Sequence, residues 1–259
     1  MKFLSCRGGR GGRRYSFKGA VLAGWADDGG MLLPETVPSV SPAALARWSE
    51  LSYPDLCCEI LRLFMGEGEL PELPDILRGA FSSFGSEHVL ELRPLPGTSA
   101  HLTASSLSSP ANGGGGGKGA VVDFTVLELW HGPSLAFKDL GMQVLCRVLQ
   151  HYLSADGERL TVLVGTSGDT GPSAMAAIAS GCPNMDTVVL YPLGRVARVQ
   201  EAQMLGTAAA ADNCRAVGVE GTSDDLDVPC AQVIHINCNE VQLQSHVFVR
   251  LTVVVRSTT

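Results

Sequence analysis

One lysine, Lys138, stands where a loop turns into a helix in the stretch Leu127–Gln143, LELWHGPSLAFKDLGMQ. Leu135 and Phe137 give the amine apolar neighbours, and partial loss of water draws an amine's pKa down toward the range of a nucleophile or base. An amine held at such a place suits Schiff-base chemistry. Taken alone, the stretch describes a solvated surface lysine at least as well. A second loop changes the balance. Leu160–Val164 is a short apolar run rich in β-branched residues, Gly165–Gly171 reads GTSGDTG, and Pro172–Ala179 has proline at N1 with helix formers behind it. Strand, loop and helix in that order bring backbone N–H groups and the hydroxyls of Thr166, Ser167 and Thr170 to a helix N-terminus. A carboxylate or phosphate is stabilised there.

The elements that must position these loops follow from periodicity. Beyond residue 120 the pattern alternates: strand Val121–Leu129, helix Leu140–Leu153, strand Leu160–Val164, helix Pro172–Ala179, strand Thr187–Tyr191, helix Val196–Ala210, strand Arg215–Val219 and helix Asp224–Ile234. This predicts an α/β fold, a parallel sheet covered by helices on both faces. Ligands then bind at the carboxyl ends of the strands, where both loops should emerge. Upstream, Phe17–Pro38 reads as two strands joined by the Asp27–Gly30 turn, DDGG. Ser41 should cap a helix starting at Pro42, a second helical face runs over Leu56–Met65, a short helix over Pro71–Phe84, and an extended segment over Val89–Leu95. Trp25 and Trp48 are expected in the core. The acidic residues Glu220, Asp224, Asp225 and Asp227 complement the start of the last helix, with Thr222 as its cap.

A chain of 259 residues with 45% hydrophobic residues can bury a full core, and a net charge of −7 argues against nucleic acid as a partner. No apolar run is long enough to cross a bilayer, and Met1–Leu4 leads at once into polar residues, not a secretory core. Eight cysteines without a pairing framework point to a reducing compartment and a cytoplasmic protein. Adjacent Cys57 and Cys58 would point about 100° apart on a helix, as packing residues and not as paired ligands. Cys230, His235 and Cys238 lack a fourth ligand, so no metal is expected. The basic run Arg7–Arg14 is a flexible loop, since its glycines oppose a transit-peptide helix. Thr98–Gly119 is Ser-rich and ends in the five glycines Gly113–Gly117 before Lys118 and Gly119. Such a segment cannot offset its ordering entropy. It lacks the first glycine and the Ser/Thr of a nucleotide-binding P-loop and precedes a strand where a P-loop follows one.

Several of these stretches together resemble the threonine synthases, and in particular the vertebrate threonine synthase-like phospho-lyases. HGPSLAFKD, at His131–Asp139, is similar to that family's cofactor-lysine motif, and VGTSGDTG, at Val164–Gly171, to its substrate-facing loop. FLSCRG at Phe3–Gly8 is similar to an amino-terminal Tyr-x-Ser-Thr-Arg-Gly signature, with Cys6 in place of threonine. FKGAVLAGWADDGGMLLPETVP, LSYPDL at Leu51–Leu56 and VEGTSDDLDVP at Val219–Pro229 extend the likeness.

The resemblance implies pyridoxal 5'-phosphate joined to Lys138, with Ser167, Gly168, Asp169 and Thr170 facing the cofactor ring, and Ser167, Asp169 and Thr170 facing the substrate carboxylate. It implies a small phosphorylated amino acid as substrate: O-phosphohomoserine, giving 2-oxobutyrate, ammonia and phosphate, or O-phosphothreonine. His131 and Ser134 would either orient the lysine motif or serve as structural hydrogen-bonding groups. The implied architecture is a partial parallel sheet with flanking helices, of the tryptophan synthase β kind and pyridoxal-phosphate fold type II, preceded by a small, mostly helical amino-terminal region. It divides into a threonine synthase amino-terminal region at 1–97, a disordered Ser/Gly-rich insertion at 98–120, a partial cofactor-binding α/β domain at 121–229 and a divergent tail at 230–259. The tail includes His246–Arg256, whose β-branched run either adds a strand or lies exposed as an aggregation hazard.

The family's cofactor-phosphate loop, of Gly-Asn-Phe-Gly-Asn type, has no counterpart here, nor has its Asn-Ser-Ile-Asn-Trp stretch. Two expectations follow: a carboxyl-terminally shortened enzyme of this family, or a catalytically weak short form with a binding or signalling role, conceivably secreted.

Overall fold

The computed structural model describes residues 1–8, 12–95, 100–102, 120–122, 124–226 and 251–256, with the backbone course alone for 100–102, 120–122 and 251–256. The chain opens with strand β1 (Phe3–Ser5), helix α1 (Phe17–Ala23) and strand β2 (Leu32–Pro34), and β1 pairs antiparallel with β2, Phe3 opposite Pro34. Residues 17–23 are thus helical, where the sequence suggested a strand. The Ser16 hydroxyl accepts the Gly19 N–H at 3.0 Å, satisfying a donor that a helix start leaves open, and Gly24 at φ +68° closes the far end. The expected turn does form, with Ala26 N–H donating to Gly30 O at 2.9 Å and a single bridge between Trp25 and Met31.

Helices α2 (Pro42–Trp48), α3 (Tyr53–Arg62) and α4 (Leu73–Phe81) follow. Ser41 and Ser52 cap α2 and α3, each ahead of a proline in the first turn. Cys58 is buried among the packed helices and Cys57 is half-buried beside it, as expected of packing residues. Trp48 is half-buried and donates its indole N–H to Glu59 at 3.3 Å. Trp25, expected in the core, is exposed at the rim of the turn.

Strand β3 (Glu91–Pro94) is followed by β4 (Ala100–Leu102), β5 (Ala120–Val122) and β6 (Thr125–Glu128), which form two separate antiparallel ribbons, β3 with β6 and β4 with β5. The single strand expected over Val121–Leu129 is therefore two, and neither joins the parallel sheet. Asp123, Thr125 and Glu128 interrupt the continuous apolar run that a strand covered on both faces requires. Apart from β4 and β5, the Ser/Gly-rich stretch lies outside the described residues. The β3–β6 ribbon is inverted: Leu92 and Leu127, directly opposite one another, are 69% and 51% exposed, while Glu91 and Glu128 pair on the half-buried face.

From α5 (Lys138–Asp156) the alternation is as predicted: β7 (Arg159–Gly165), α6 (Thr170–Ala179), β8 (Met185–Pro192), α7 (Arg198–Ala210) and β9 (Cys214–Val219). Helix α6 begins two residues earlier than expected, which places Pro172 at its third position. β7, β8 and β9 run parallel, and β10 (Leu251–Arg256), within the segment for which a strand was one of two expectations, pairs antiparallel along the outer side of β7. Of the helix expected over Asp224–Ile234, a 3-10 turn spans Asp224–Leu226, and the remainder lies outside the described residues. Thr222 does not cap that turn in the expected sense: its N–H and hydroxyl donate to Asp225, which holds the Asp225 carboxyl below its usual range. Cys230, His235 and Cys238 lie outside the described residues.

Helix α5 is the common wall of two cores. Cys146, Leu149 and Leu153 face the sheet and α6, whereas Leu140, Val144, Val148 and Tyr152, spaced four apart, face α3 and α4. Spacings of three and four on a 3.6-residue repeat give two apolar stripes, so one helix can dry both sides.

Candidate active site

The loop before α5 is built around a buried carboxylate. Asp139 is fully buried at the first turn of α5. Its Oδ2 accepts the Ser134 N–H at 2.8 Å, and its Oδ1 accepts the hydroxyls of Ser134 and Ser173, each at 2.7 Å. Hydrogen bonds to an ionised acceptor are the strong ones, and here they tie the lysine loop directly to α6. Gly132 leaves room for this arrangement, since a Cβ there would stand 2.4 Å from Asp139 Oδ2. Leu135 at φ +60° holds a left-handed backbone rarely adopted by a branched residue, so surrounding contacts hold the loop in a particular shape.

Lys138 is half-buried beside that carboxylate. Its Nζ lies 4.5 Å from the centre of the Phe137 ring and makes no hydrogen bond or ion pair among the described residues. Leu135 and Phe137, the expected apolar shield, are 67% and 52% exposed, so they flank the amine without enclosing it. None of Ser167, Gly168, Asp169 and Thr170 hydrogen-bonds to the amine. Contact between the two loops runs instead through Ser134, Asp139 and Ser173. His131 turns away toward the ribbon, with Nε2 3.0 Å from Glu128 Oε2 and its carbonyl accepting the Gly85 N–H at 2.7 Å. It anchors the loop's outer end.

The GTSGDTG loop forms at the carboxyl end of β7. Thr166 Oγ1 accepts the N–H groups of Gly168 and Gly171 at 3.0 and 3.1 Å. The backbone N–H groups of Ser167, Asp169 and Thr170 have no acceptor among the described residues, and they lie at the positive end of the α6 dipole. Ser167 and Asp169 are exposed, Gly168 and Thr170 buried. From α7, Gln200 Nε2 donates to Asp169 Oδ1 at 2.6 Å and Gln203 Nε2 donates to Ser134 O at 3.0 Å.

Other reactive groups have quieter explanations. Glu91, Glu128 and His131 bring possible ligand atoms within 4.8 Å of one another, but Arg93 bonds to Glu91 and reaches Glu128 at 3.8 Å. The cluster therefore already contains a counter-charge. A hydrogen bond from Ser86, then Arg93, His131 and His88, hold the Glu91 carboxyl below its usual range. Burial pushes the Cys182 and Cys214 thiols up to about 11, and that of Cys146 still higher, so none of the three is an activated nucleophile.

Sequence reasoning named Lys138, Ser134, Thr166 and the GTSGDTG loop, but not Asp139 as an anchor, nor Ser173, Gln200 and Gln203. One sign was present. Asp139 and Gln143 interrupt the stripe that continues through Cys146, Leu149 and Leu153, and a carboxylate on a buried stripe needs partners.

The family described as "Threonine synthase N terminus" matches residues 2–81. Human threonine synthase-like 2 is 39% identical over 235 residues, 90% of this chain and 42% of its own length. The threonine synthase of Pseudomonas aeruginosa is 34% identical, over 87% of this chain and 42% of its own. A crystal structure of PLP-bound threonine synthase from Brucella melitensis superposes with a TM-score of 0.71 at 33% identity, over 91% of this chain and 44% of that one. Yeast threonine synthase does so at 0.74 and 29%, over 92% and 44%. The chain spans about two fifths of the length of the relatives it matches. The amino-terminal match, the sequence likeness and the shared fold agree: over about nine tenths of its length this chain is similar to the threonine synthases and threonine synthase-like proteins.

Proposed function

We propose that this chain carries the lysine-bearing part of a pyridoxal-phosphate-dependent phospho-lyase acting on O-phosphohomoserine or O-phosphothreonine. The supporting observation is the hydrogen-bonded junction of Ser134, Asp139 and Ser173, which joins the Lys138 loop to the first turns of α6. The residues present fit the cofactor. A lysine amine free of competing partners suits an aldehyde, and a helix N-terminus with three unpaired N–H groups suits an anionic substituent or a carboxylate. Lys138 would hold the cofactor covalently, with Ser167, Gly168, Asp169 and Thr170 beside its ring. When bound, pyridoxal phosphate supplies a sink for the electron pair left on a deprotonated substrate carbon.

The chain's own residues do the rest. The N–H groups at Ser167, Asp169 and Thr170 hold the substrate carboxylate, with the Ser167 and Thr170 hydroxyls as further donors. The Lys138 amine would take the proton from the carbon next to the one that carries the phosphate, Cα in O-phosphothreonine and Cβ in O-phosphohomoserine; the C–H electron pair would become the new C=C bond and phosphate would leave with the electrons of its C–O bond. Asp139 fixes the start of α5, so the lysine stem enters the site from a set direction.

Borohydride reduction of the chain after incubation with pyridoxal phosphate should leave a pyridoxyl mass adduct on the peptide containing Lys138, and Lys138→Ala should abolish it. Phosphate release from each of the two substrates then identifies the reaction. A chain that takes up no cofactor at Lys138 would falsify the enzymatic reading and leave the alternative, a short form acting by binding.

A further inference from the structure

Helices α1, α3, α4 and α5 leave an apolar cavity of about 350 Å³ between them. Phe17 and Val21 line it from α1, Cys57 and Leu61 from α3, and Gly141 and Val144 from α5. No charged side chain lines it. Tyr53 and Cys57 are its only lining residues that can ionise, and burial above all pushes both upward, so each stays neutral. Ile60, 40% exposed, and Gly141 stand at the rim, so the cavity opens to solvent between α3 and α5. Glycine weakens a helix interior and is ordinarily kept there for a close approach. Gly171 has that reason, since a Cβ on it would come within 2.8 Å of Met204, Thr166 and Val189. Gly141 has none: a Cβ there would meet no atom within 4 Å. What it does is leave the mouth of the cavity open.

We propose that this cavity binds an uncharged, hydrocarbon-like small molecule, of the shape of an aromatic ring with a short alkyl chain. Engineered apolar cavities of about 150 Å³ stay dry and take up benzene, and ligand sites are concave, mostly apolar and often lie between helices. This cavity is larger and has a way in. A charged ligand would lose its water with no counter-charge in return. Leu140 and Gly141 are part of the wall, so an occupant packs against the first turns of the helix that presents Lys138. The cavity shares no residue with those assigned to cofactor or substrate, and it stands whether or not the chain is a lyase.

Butylbenzene, titrated into the methyl-labelled full chain, should shift the methyl signals of Val21, Leu61 and Val144 saturably. It should also show nuclear Overhauser contacts to them and raise the melting temperature with concentration. Gly141→Leu puts a side chain across the mouth and should remove these shifts, while the free chain melts at the same temperature or higher because a glycine has left the helix. Gly141→Ala should bind as the wild type does. Phenylbutyrate, in which the terminal methyl becomes a carboxylate, should bind about tenfold more weakly or worse. Wild-type methyls that do not titrate, contacts that fall instead on Leu149 and Leu153 of the other core, or a Gly141→Leu chain that binds unchanged would each overturn the proposal. Phenylbutyrate that binds as tightly as butylbenzene would overturn the uncharged class of ligand. A dimer that butylbenzene dissociates in sedimentation would give the mouth to a second copy of the chain and overturn the proposal as well. Should Gly141→Leu fail to fold, the nuclear Overhauser contacts in the wild type decide alone.

Discussion

Two loops meet at the carboxyl end of β7, and they are fastened by opposite means. The Lys138 loop is tied from inside, by a fully buried carboxylate that accepts three hydrogen bonds from Ser134 and Ser173. The loop that starts α6 is held by one threonine hydroxyl within and one glutamine amide at the surface. Removing a buried anchor leaves donors with nothing to bond, whereas removing an exposed one lets water take its place. The inner loop should therefore govern stability and the place of the amine, and the outer one should adjust affinity at little cost in folding.

The largest effect that could break this contrast is at Asp139. Asp139→Ala strands the Ser134 N–H and one serine hydroxyl, the other being able to donate across the 2.7 Å between the Ser134 and Ser173 hydroxyls, and should cost about 3 kcal/mol. Urea denaturation measures it, and a loss no larger than that of a surface substitution would remove the distinction between the loops. Gly132→Ala forces a methyl into the same carboxylate and should cost about 2–3 kcal/mol, with the Ser134 amide losing its protection from hydrogen exchange. The third expectation has the opposite sign. Gln143 is completely buried on the same stripe, and neither its amide nitrogen nor its oxygen has a partner among the described residues. Gln143→Met, of similar volume, should raise stability by about 1–2 kcal/mol, since a desolvated amide is replaced by an apolar chain. A destabilised variant would mean that this amide is another inner anchor. Smallest is Gln203→Ala, which removes one neutral hydrogen bond to the Ser134 carbonyl and should cost about 1 kcal/mol. Faster exchange confined to the amides around Leu135 would place that effect on the lysine loop.

The sheet half was legible in the sequence because β7 and β8 are nearly continuous apolar runs and α6 between them is a run of small and apolar residues. Lys138 was legible through its flanking residues. The first helix was not: Phe17–Ala23 is apolar enough for a strand, and what decides is the Ser16 hydroxyl together with Val21 and Leu22 packing against both cores. Residues 121–129 misled for the converse reason, as their polar interruptions matter once it is known that neither piece joins the parallel sheet. Gln200 and Gln203 lie three apart on a helix that shows little apolar bias, and in sequence they look like a solvated face. Their role arises when the fold brings the loop after β7 alongside, a juxtaposition across 31 residues for Gln200 and Asp169 and 69 for Gln203 and Ser134.

The doubly apolar helix α5 also determines how the molecule comes apart. Separating the amino-terminal helices from the sheet would bare a column of leucine, valine and tyrosine on one fragment and strand its mates on the other. Heat or denaturant should therefore find no stable halfway species in which one half persists alone, and calorimetry of the whole chain should record one melting event. Gene fragments divided between residues 95 and 124 should fold when expressed together and aggregate when expressed singly.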